Sequence, residues 1–425
     1  MNIGTIAVLM GGLLISNMAV VGQQPQPNIM AMADSVKIMA EALIKQGFNA
    51  GDGYGEVWIR DFNTFIDLAC KVHDKALVRK SLITFFQFQQ DDGAILDGYV
   101  PKPKGAGAGY NYYYTALAPE YAGHKNTVET DQESSLVQAV AKYIRHTGDR
   151  SILTDTVAAL TVQQRLERAL QFLMNKRYND RYGLLWGATT ADWGDVQPEH
   201  DWGVELNADS HLAIDIYDNA LFVSAINDYL DITNAGSNQR RYWTKTRDEI
   251  KKNIRKHLWD PEKQKFRPHL YITSSPFPAS FNESEVYYHG GTTVAIEAGL
   301  LSKSEVLQAY KKMQENVKRA NAATIGLTLY PVYPAGSFKN KGMGPYSYQN
   351  GGDWTWFGAR MVTQLIRYNL LNEAREALTP MLSRVLKYKG FYEWYTPANE
   401  PKGSAGFKGE AGVLWTAIIE LEKKS

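Results

Sequence analysis

Three short segments of this 425-residue chain set carboxylates among aromatic rings. They are Val57-Trp58-Ile59-Arg60-Asp61 near the start, Thr190-Ala191-Asp192-Trp193-Gly194-Asp195 in the middle, and Phe391-Tyr392-Glu393-Trp394-Tyr395 near the end. Flat rings stack on the C–H faces of sugars while acids and amides bind the hydroxyls, so the combination suits a carbohydrate site. Two well-separated carboxylates are also what acid/base cleavage of a glycosidic bond requires. One protonates the leaving oxygen and the other activates a water.

Each segment also has an ordinary structural reading. Glu393 can be satisfied by a neighbouring tyrosine, Asp192 and Asp195 can close an Asx-turn, and Arg60-Asp61 can be capping chemistry at a helix start. Those readings leave the tryptophan beside each acid unexplained. In a sugar site, Glu393 is either desolvated with a raised pKa or held ionised by tyrosine hydroxyls. One of Asp192 and Asp195, kept neutral, protonates a leaving oxygen; spacing does not choose between them. Trp58 and Asp61 stand three apart and share a helix face, with Arg60 placed to orient Asp61 or another carboxylate.

Two lesser clusters add polar groups. Glu129-Thr130-Asp131-Gln132-Glu133 reads as an acidic helix start, with Asp131 and Gln132 as candidate sugar ligands. Tyr346-Ser347-Tyr348-Gln349-Asn350-Gly351-Gly352-Asp353-Trp354-Thr355-Trp356 brings four rings near Asn350, and its paired glycines permit close backbone approach.

Other chemistries are excluded by composition. A single cysteine, Cys70, rules out a disulfide within the chain and thiolate metal sites. The eight histidines show no metalloprotease spacing. Gly105-Ala106-Gly107-Ala108-Gly109 lacks the Lys-Ser/Thr of a phosphate loop, and no Gly-x-Ser-x-Gly elbow occurs. No cofactor or metal is expected. A net charge of +1 gives no electrostatic reason for nucleic acid or an anionic membrane as partner. Residues 3–21 are apolar and nearly uncharged, then a polar Pro-containing stretch follows. That predicts an N-terminal segment 1–27 acting as a secretory signal, hence a periplasmic or extracellular protein.

After residue 28 the pattern is helix after helix, at about 28–46, 56–74, 76–90, 127–147, 161–178, 211–232, 238–257, 290–300, 303–318, 351–369, 371–387 and 409–424. Long segments at 91–126, 180–210, 259–289, 320–350 and 389–408 interrupt them roughly after every second helix. Loops this long in a compact domain are usually functional. Twelve paired helices with elaborated loops at one end predict an all-α (α/α)6 toroid, a single domain over 28–425 with its site in the funnel at the loop end.

Taken together, the motifs resemble the clan of α/α-toroid glycosidases that includes glucoamylase, trehalase, neutral invertase and glycoside hydrolase family 63. The compact bacterial branch of family 63, the mannosylglycerate hydrolase-like proteins, is most similar. Val57 to Asp61 looks like the clan's Trp-x-Arg-Asp element, whose Asp holds sugar hydroxyls. By the same resemblance Asp192 takes the position of the general acid, with Asp195 as its rival, and Glu393 that of the general base. Asn350 to Trp354 is similar to the stretch lining the sugar pocket. Lys408-Gly409-Glu410 departs from the pattern, which usually has an aromatic residue after the preceding Phe.

The resemblance implies an inverting, exo-acting α-glycosidase that releases a terminal glucose- or mannose-type sugar. Asp192 and Glu393 would be catalytic, with Trp58, Arg60, Asp61, Asp131, Gln132, Trp193, Asn350, Trp354, Trp356, Trp394 and Tyr395 binding substrate. The alternatives are a glycan-binding protein that lacks catalysis and a sugar epimerase on the same toroid, for which His211 and His289 are the candidate bases.

Overall fold

The computed structural model describes residue 1 and residues 29–102, 111–201 and 204–424. The signal-like segment 1–27, beyond Met1, and the glycine run 105–109 lie outside the described residues. Twelve α-helices occur among them: α1 (Ile29–Ile44), α2 (Ile59–Val72), α3 (Lys75–Gln87), α4 (Gln132–Thr147), α5 (Val162–Lys176), α6 (Ile216–Ile232), α7 (Ser237–His257), α8 (His289–Glu297), α9 (Lys303–Ala320), α10 (Thr355–Arg367), α11 (Leu371–Tyr388) and α12 (Lys408–Glu422). None is long and apolar enough to cross a membrane.

The even-numbered helices form a closed ring. α2 packs on α4, α4 on α6, α6 on α8, α8 on α10, α10 on α12, and α12 returns to α2. The odd-numbered helices lie outside them, for example α5 against α4 and α6, and α11 against α10 and α1. This is the (α/α)6 toroid, and the residue pattern explains the two layers. In α6 only Ser224, Asn227, Asp228 and Asp231 are not buried, as an inner helix covered on both sides demands. In α7 the buried side chains reduce to a single stripe of Trp243, Thr246, Ile250 and Ile254. The outer helices carry strong start and stop signals. Thr161 with Gln164, and Ser302 with Glu305, form capping boxes on α5 and α9, and Asn321 ends α9 in the left-handed conformation.

Connections from an inner to the next outer helix are short, as at 73–74 and 233–236, except for 148–161, and the longest connections run from outer to inner helix. The longest loops therefore gather where the inner helices begin. They are not structureless. Short antiparallel ladders join them: 57–58 with 98–99, 98–101 with 121–124, 187–188 with 212–213, 213–214 with 270–271, 287–288 with 329–330, and 392–395 with 401–405. Several inner helices accordingly start later than the periodicity predicts. Trp58, Trp354 and Phe407 stand as extended N-cap residues of α2, α10 and α12, with no side-chain cap of their own. The aromatic side chains of all three line the mouth of the toroid.

A buried ionic network fixes the last part of that mouth. Arg384 of α11 bonds Asp353 at 3.0 Å and Thr355, lies 3.8 Å over the Tyr395 ring, and approaches Glu410 of α12 at 4.0 Å. Glu410 in turn accepts the Tyr392 amide at 2.6 Å. The hairpin that carries Glu393 is thus tied to three helices at once.

Candidate active site

A cavity of about 410 Å3 opens at the N-terminal ends of the inner helices. Volumes of roughly 300–1,000 Å3 are usual for small-molecule sites. Parallel inner helices present the positive ends of their dipoles here, which favours negative side chains and polar ligands. Five tryptophans line the cavity: Trp58, Trp193, Trp354, Trp356 and Trp394. Trp193 stacks on Phe357 at 4.7 Å and meets Trp354 edge-on at the same distance. The indole nitrogens of Trp58, Trp193 and Trp356 are buried and have no hydrogen-bond partner among the described residues, leaving donors for a ligand.

Glu393 lies on a strand, Tyr392–Tyr395, within the predicted connection 389–408. Its two carboxylate oxygens each lie 2.9 Å from the Tyr54 hydroxyl, and Oε2 accepts the Ser404 amide at 2.8 Å. Burial pushes its pKa up to about 7, with the Ser404 amide and Tyr54 hydroxyl pulling the other way. The hairpin permits this close packing through Gly403, where φ is +70° and a Cβ would sit 2.4 Å from Glu393 Oε2.

Asp195 also lines the cavity. Gln349 holds it from both sides, donating Nε2–H to Oδ1 at 2.7 Å and accepting the Asp195 amide at 3.3 Å. Asp192, the residue placed in the acid's role by sequence, faces elsewhere. It is not among the cavity's lining residues; its φ is +56°, and both its oxygens accept amides at the start of α8, from Gly290 and Gly291 at 2.7 Å each. It therefore serves as the hydrogen-bond acceptor at a helix N-terminus, while burial holds its pKa well above the usual carboxylate range against the pull of those two amides. The lack of Cβ atoms at Gly290 and Gly291 makes room for it, since either Cβ would lie 2.9 Å from a carboxylate oxygen.

Asp61 follows the expectation that it shares the cavity with Trp58. Its Oδ1 is buried and unpaired among the described residues, and burial holds its pKa well above the usual range. Arg60 orients other carboxylates, not Asp61: Nε bonds Asp131 Oδ2 at 2.6 Å and a terminal nitrogen pairs with Glu129.

Several predicted sugar ligands are instead structural. Asp131 supports Arg60 and accepts the Tyr217 hydroxyl at 3.1 Å, away from the cavity lining. Gln132 is used up by Lys125, the Asn126 carbonyl and Glu129. Asn350 bonds both backbone groups of Tyr333 and the Met343 carbonyl, bracing the loop before α10. Tyr395 points inward to Glu410 and Arg384. Strand alternation alone would send Tyr395 the same way as Glu393, but the ladder shifts register between Tyr392 and Trp394. Neither His211, paired with Glu199, nor His289, bonded to Asn316 and the Ile325 carbonyl, lines the cavity.

Sequence reasoning passed over Tyr54, Asp97, Asn126, Glu129 as a cavity group, Tyr348 and Gln349, all of which line the site. Asp97 comes from the loop before α4, and burial lifts its pKa to about 7. No group of three or more His, Cys, Asp or Glu suited to a metal ion occurs among the described residues.

Comparison with known proteins bears on this arrangement. The mannosylglycerate hydrolase of family 63 from Thermus thermophilus, crystallised with glucose, superimposes with a TM-score of 0.63 at 14% identity, covering 92% of this chain and 100% of the other. The rhamnosidase from Klebsiella oxytoca with rhamnose bound gives 0.58 at 13% identity, over 92% of this chain and 64% of the other. A family 78 rhamnosidase from a Bacillus species gives 0.60 at 14%, over 91% and 34%. At such identities these matches show the shared toroid. No curated protein matches in sequence. The glycosyl hydrolase 94 superfamily catalytic domain matches residues 32–351, a span that takes in Asp61 and Asp195 and stops short of Glu393. With three quarters of its length so matched, the chain belongs to the glycosyl hydrolase 94 superfamily, a glycoside hydrolase of the α/α-toroid clan.

Proposed function

We propose that the protein is an inverting, exo-acting glycosidase in which Asp195 is the general acid and Glu393 the general base. Asp195 protonates the departing glycosidic oxygen. Glu393 takes a proton from a water that attacks the anomeric carbon from the opposite face, and inversion follows from that single displacement. The observation that carries this reading is the pairing of Asp195 and Glu393 on the walls of one tryptophan-lined cavity, fed from opposite halves of the toroid mouth. Tyr54 and the Ser404 amide hold the base, while Gln349 holds the acid.

Asp61 is placed to accept hydroxyls of the sugar on the non-reducing side, through its unpaired oxygen. Trp58, Trp354, Trp356 and Trp394 supply stacking walls. A cavity closed by inner-helix starts favours a terminal sugar, and a glucose-, mannose- or rhamnose-type ring is in keeping with the ligands of the similar toroids. Export to the periplasm or beyond belongs to the same proposal, on the apolar segment 3–21 alone.

The test is a panel of α-linked glucosides, mannosides and rhamnosides, assayed for released sugar with wild type and Asp195→Asn. Cleavage of at least one member that the variant loses supports the reading. Cleavage that survives Asp195→Asn removes Asp195 as acid, and binding with no cleavage anywhere moves the glycan-binding alternative forward.

A further inference from the structure

Five carboxylates line the cavity: Asp61, Asp97, Glu129, Asp195 and Glu393. Arg60 is the one cation among its described lining residues, and it is already engaged by Asp131 and Glu129. That triad, one guanidinium against two acids, leaves no unengaged cation facing the cavity. Asp97 faces the cavity beside His124, Nδ1 to Oδ2 3.6 Å, and burial lowers the His124 pKa to about 4, so the imidazole is neutral at pH 7. Asp61 adds a buried oxygen with no partner among the described residues. The carboxylates feel one another: after burial, Asp195 is among the charges that raise Asp61, Asp97 and Glu129. A cation that enters lets these acids ionise fully, whereas an anion must enter against whichever of them are charged.

We propose that this cavity accepts uncharged or cationic glycosides and rejects anionic ones, with Asp97 and Glu129 supplying the discrimination beyond the acid/base pair. The inference rests on the glycosidase reading for its substrate class. A glycerate, uronate or phosphate group brought into the cavity meets five acidic side chains and no unengaged cation, so it is repelled by those that are ionised and holds the rest protonated. A hydroxyl or ammonium in the same place finds acceptors. The Thermus enzyme was crystallised with Tris and D-glycerate, a cation and an anion of similar size. They serve here as opposed probes.

Wild-type protein at pH 7 and matched ionic strength would be titrated with Tris and with D-glycerate, following tryptophan fluorescence and heat. Tris is expected to bind at least tenfold more tightly, and Asp97→Asn to narrow that ratio several-fold. Glycerate binding as tightly as Tris, no saturable response to Tris, or a ratio unmoved in a folded Asp97→Asn protein overturns the proposal. Should that variant not fold, added salt is expected to weaken Tris binding to wild type, and indifference to salt overturns it equally. Because binding is read apart from turnover, the two readings fail separately. A protein that cleaves neutral glycosides yet prefers glycerate loses only this inference, whereas one that binds Tris and cleaves nothing loses the glycosidase.

Discussion

The Tyr54 hydroxyl lies 2.9 Å from each oxygen of Glu393, joining residues 339 positions apart in the chain. A donor to the charged form lowers a carboxylate's pKa, and burial raises it further than Tyr54 and Ser404 bring it down. Glu393 therefore ionises near pH 7, and a base must be ionised to act. The acid limb of kcat/KM is expected close to pH 7, and Tyr54→Phe is expected to move it upward. Rate profiles of both proteins between pH 5 and 9 check this; an acid limb near the ordinary glutamate value would break the link. Stability changes in the same window. Folded Glu393 keeps its proton above the ordinary value of 4.5, so its contribution to stability is lost as pH rises from there to about 7.

Asp192 and Asp195 should separate cleanly by experiment. Asp195→Asn is expected to lower turnover by about 10^2–10^4-fold, the usual worth of a general acid, with little change in melting temperature. Asp192→Ala leaves the Gly290 and Gly291 amides without their acceptor and is expected to cost about 2 kcal/mol of stability. Thermal melts beside kcat measurements distinguish the two. An Asp192→Ala protein that melts like wild type but is inactive would restore Asp192 as the acid.

Much of the toroid is legible in the sequence because it rests on helix periodicity and caps, both local. All twelve helices appear near their predicted places, and the long connections do gather at one end. Starts of inner helices are less legible. Around Trp58 and Trp354 the residues favour a helix, yet pairing of Val57-Trp58 and of Asp353 with distant loops holds the chain extended there. The candidate catalytic segments are visible through their tryptophans, but the choice of acid is not. Both aspartates share one turn, and only the amides of α8, nearly a hundred residues on, decide which one leaves the cavity. Gly290-Gly291 is the available signal: bare amides at a helix start call for an acceptor. Asp97 and Tyr54 carry a weaker one: no tryptophan directly adjoins either, and Tyr54 meets its acid, Glu393, only across 339 positions.

Arg384 offers a test of how the base is positioned. Arg384→Met removes the cation from between Asp353 and Glu410 and is expected to destabilise the fold by about 3–5 kcal/mol, as breaking buried ion pairs does. Burial holds the Glu410 pKa at about 7, with Arg384 opposing. The loss should therefore be larger at pH 8, where Glu410 is ionised, than at pH 6. Melting temperatures at the two pH values decide it; an equal loss would mean that Glu410 does not feel Arg384.

The pairing of Asp195 with Glu393 is tested most directly by the anomer first released. Proton NMR would follow wild-type protein acting on an α-linked substrate drawn from the glycoside panel, before mutarotation sets in. Single displacement by water activated at Glu393 predicts the β-anomer as the first product. Initial release of the α-anomer would mean a covalent, retaining route and would contradict the assignment of Glu393 as base.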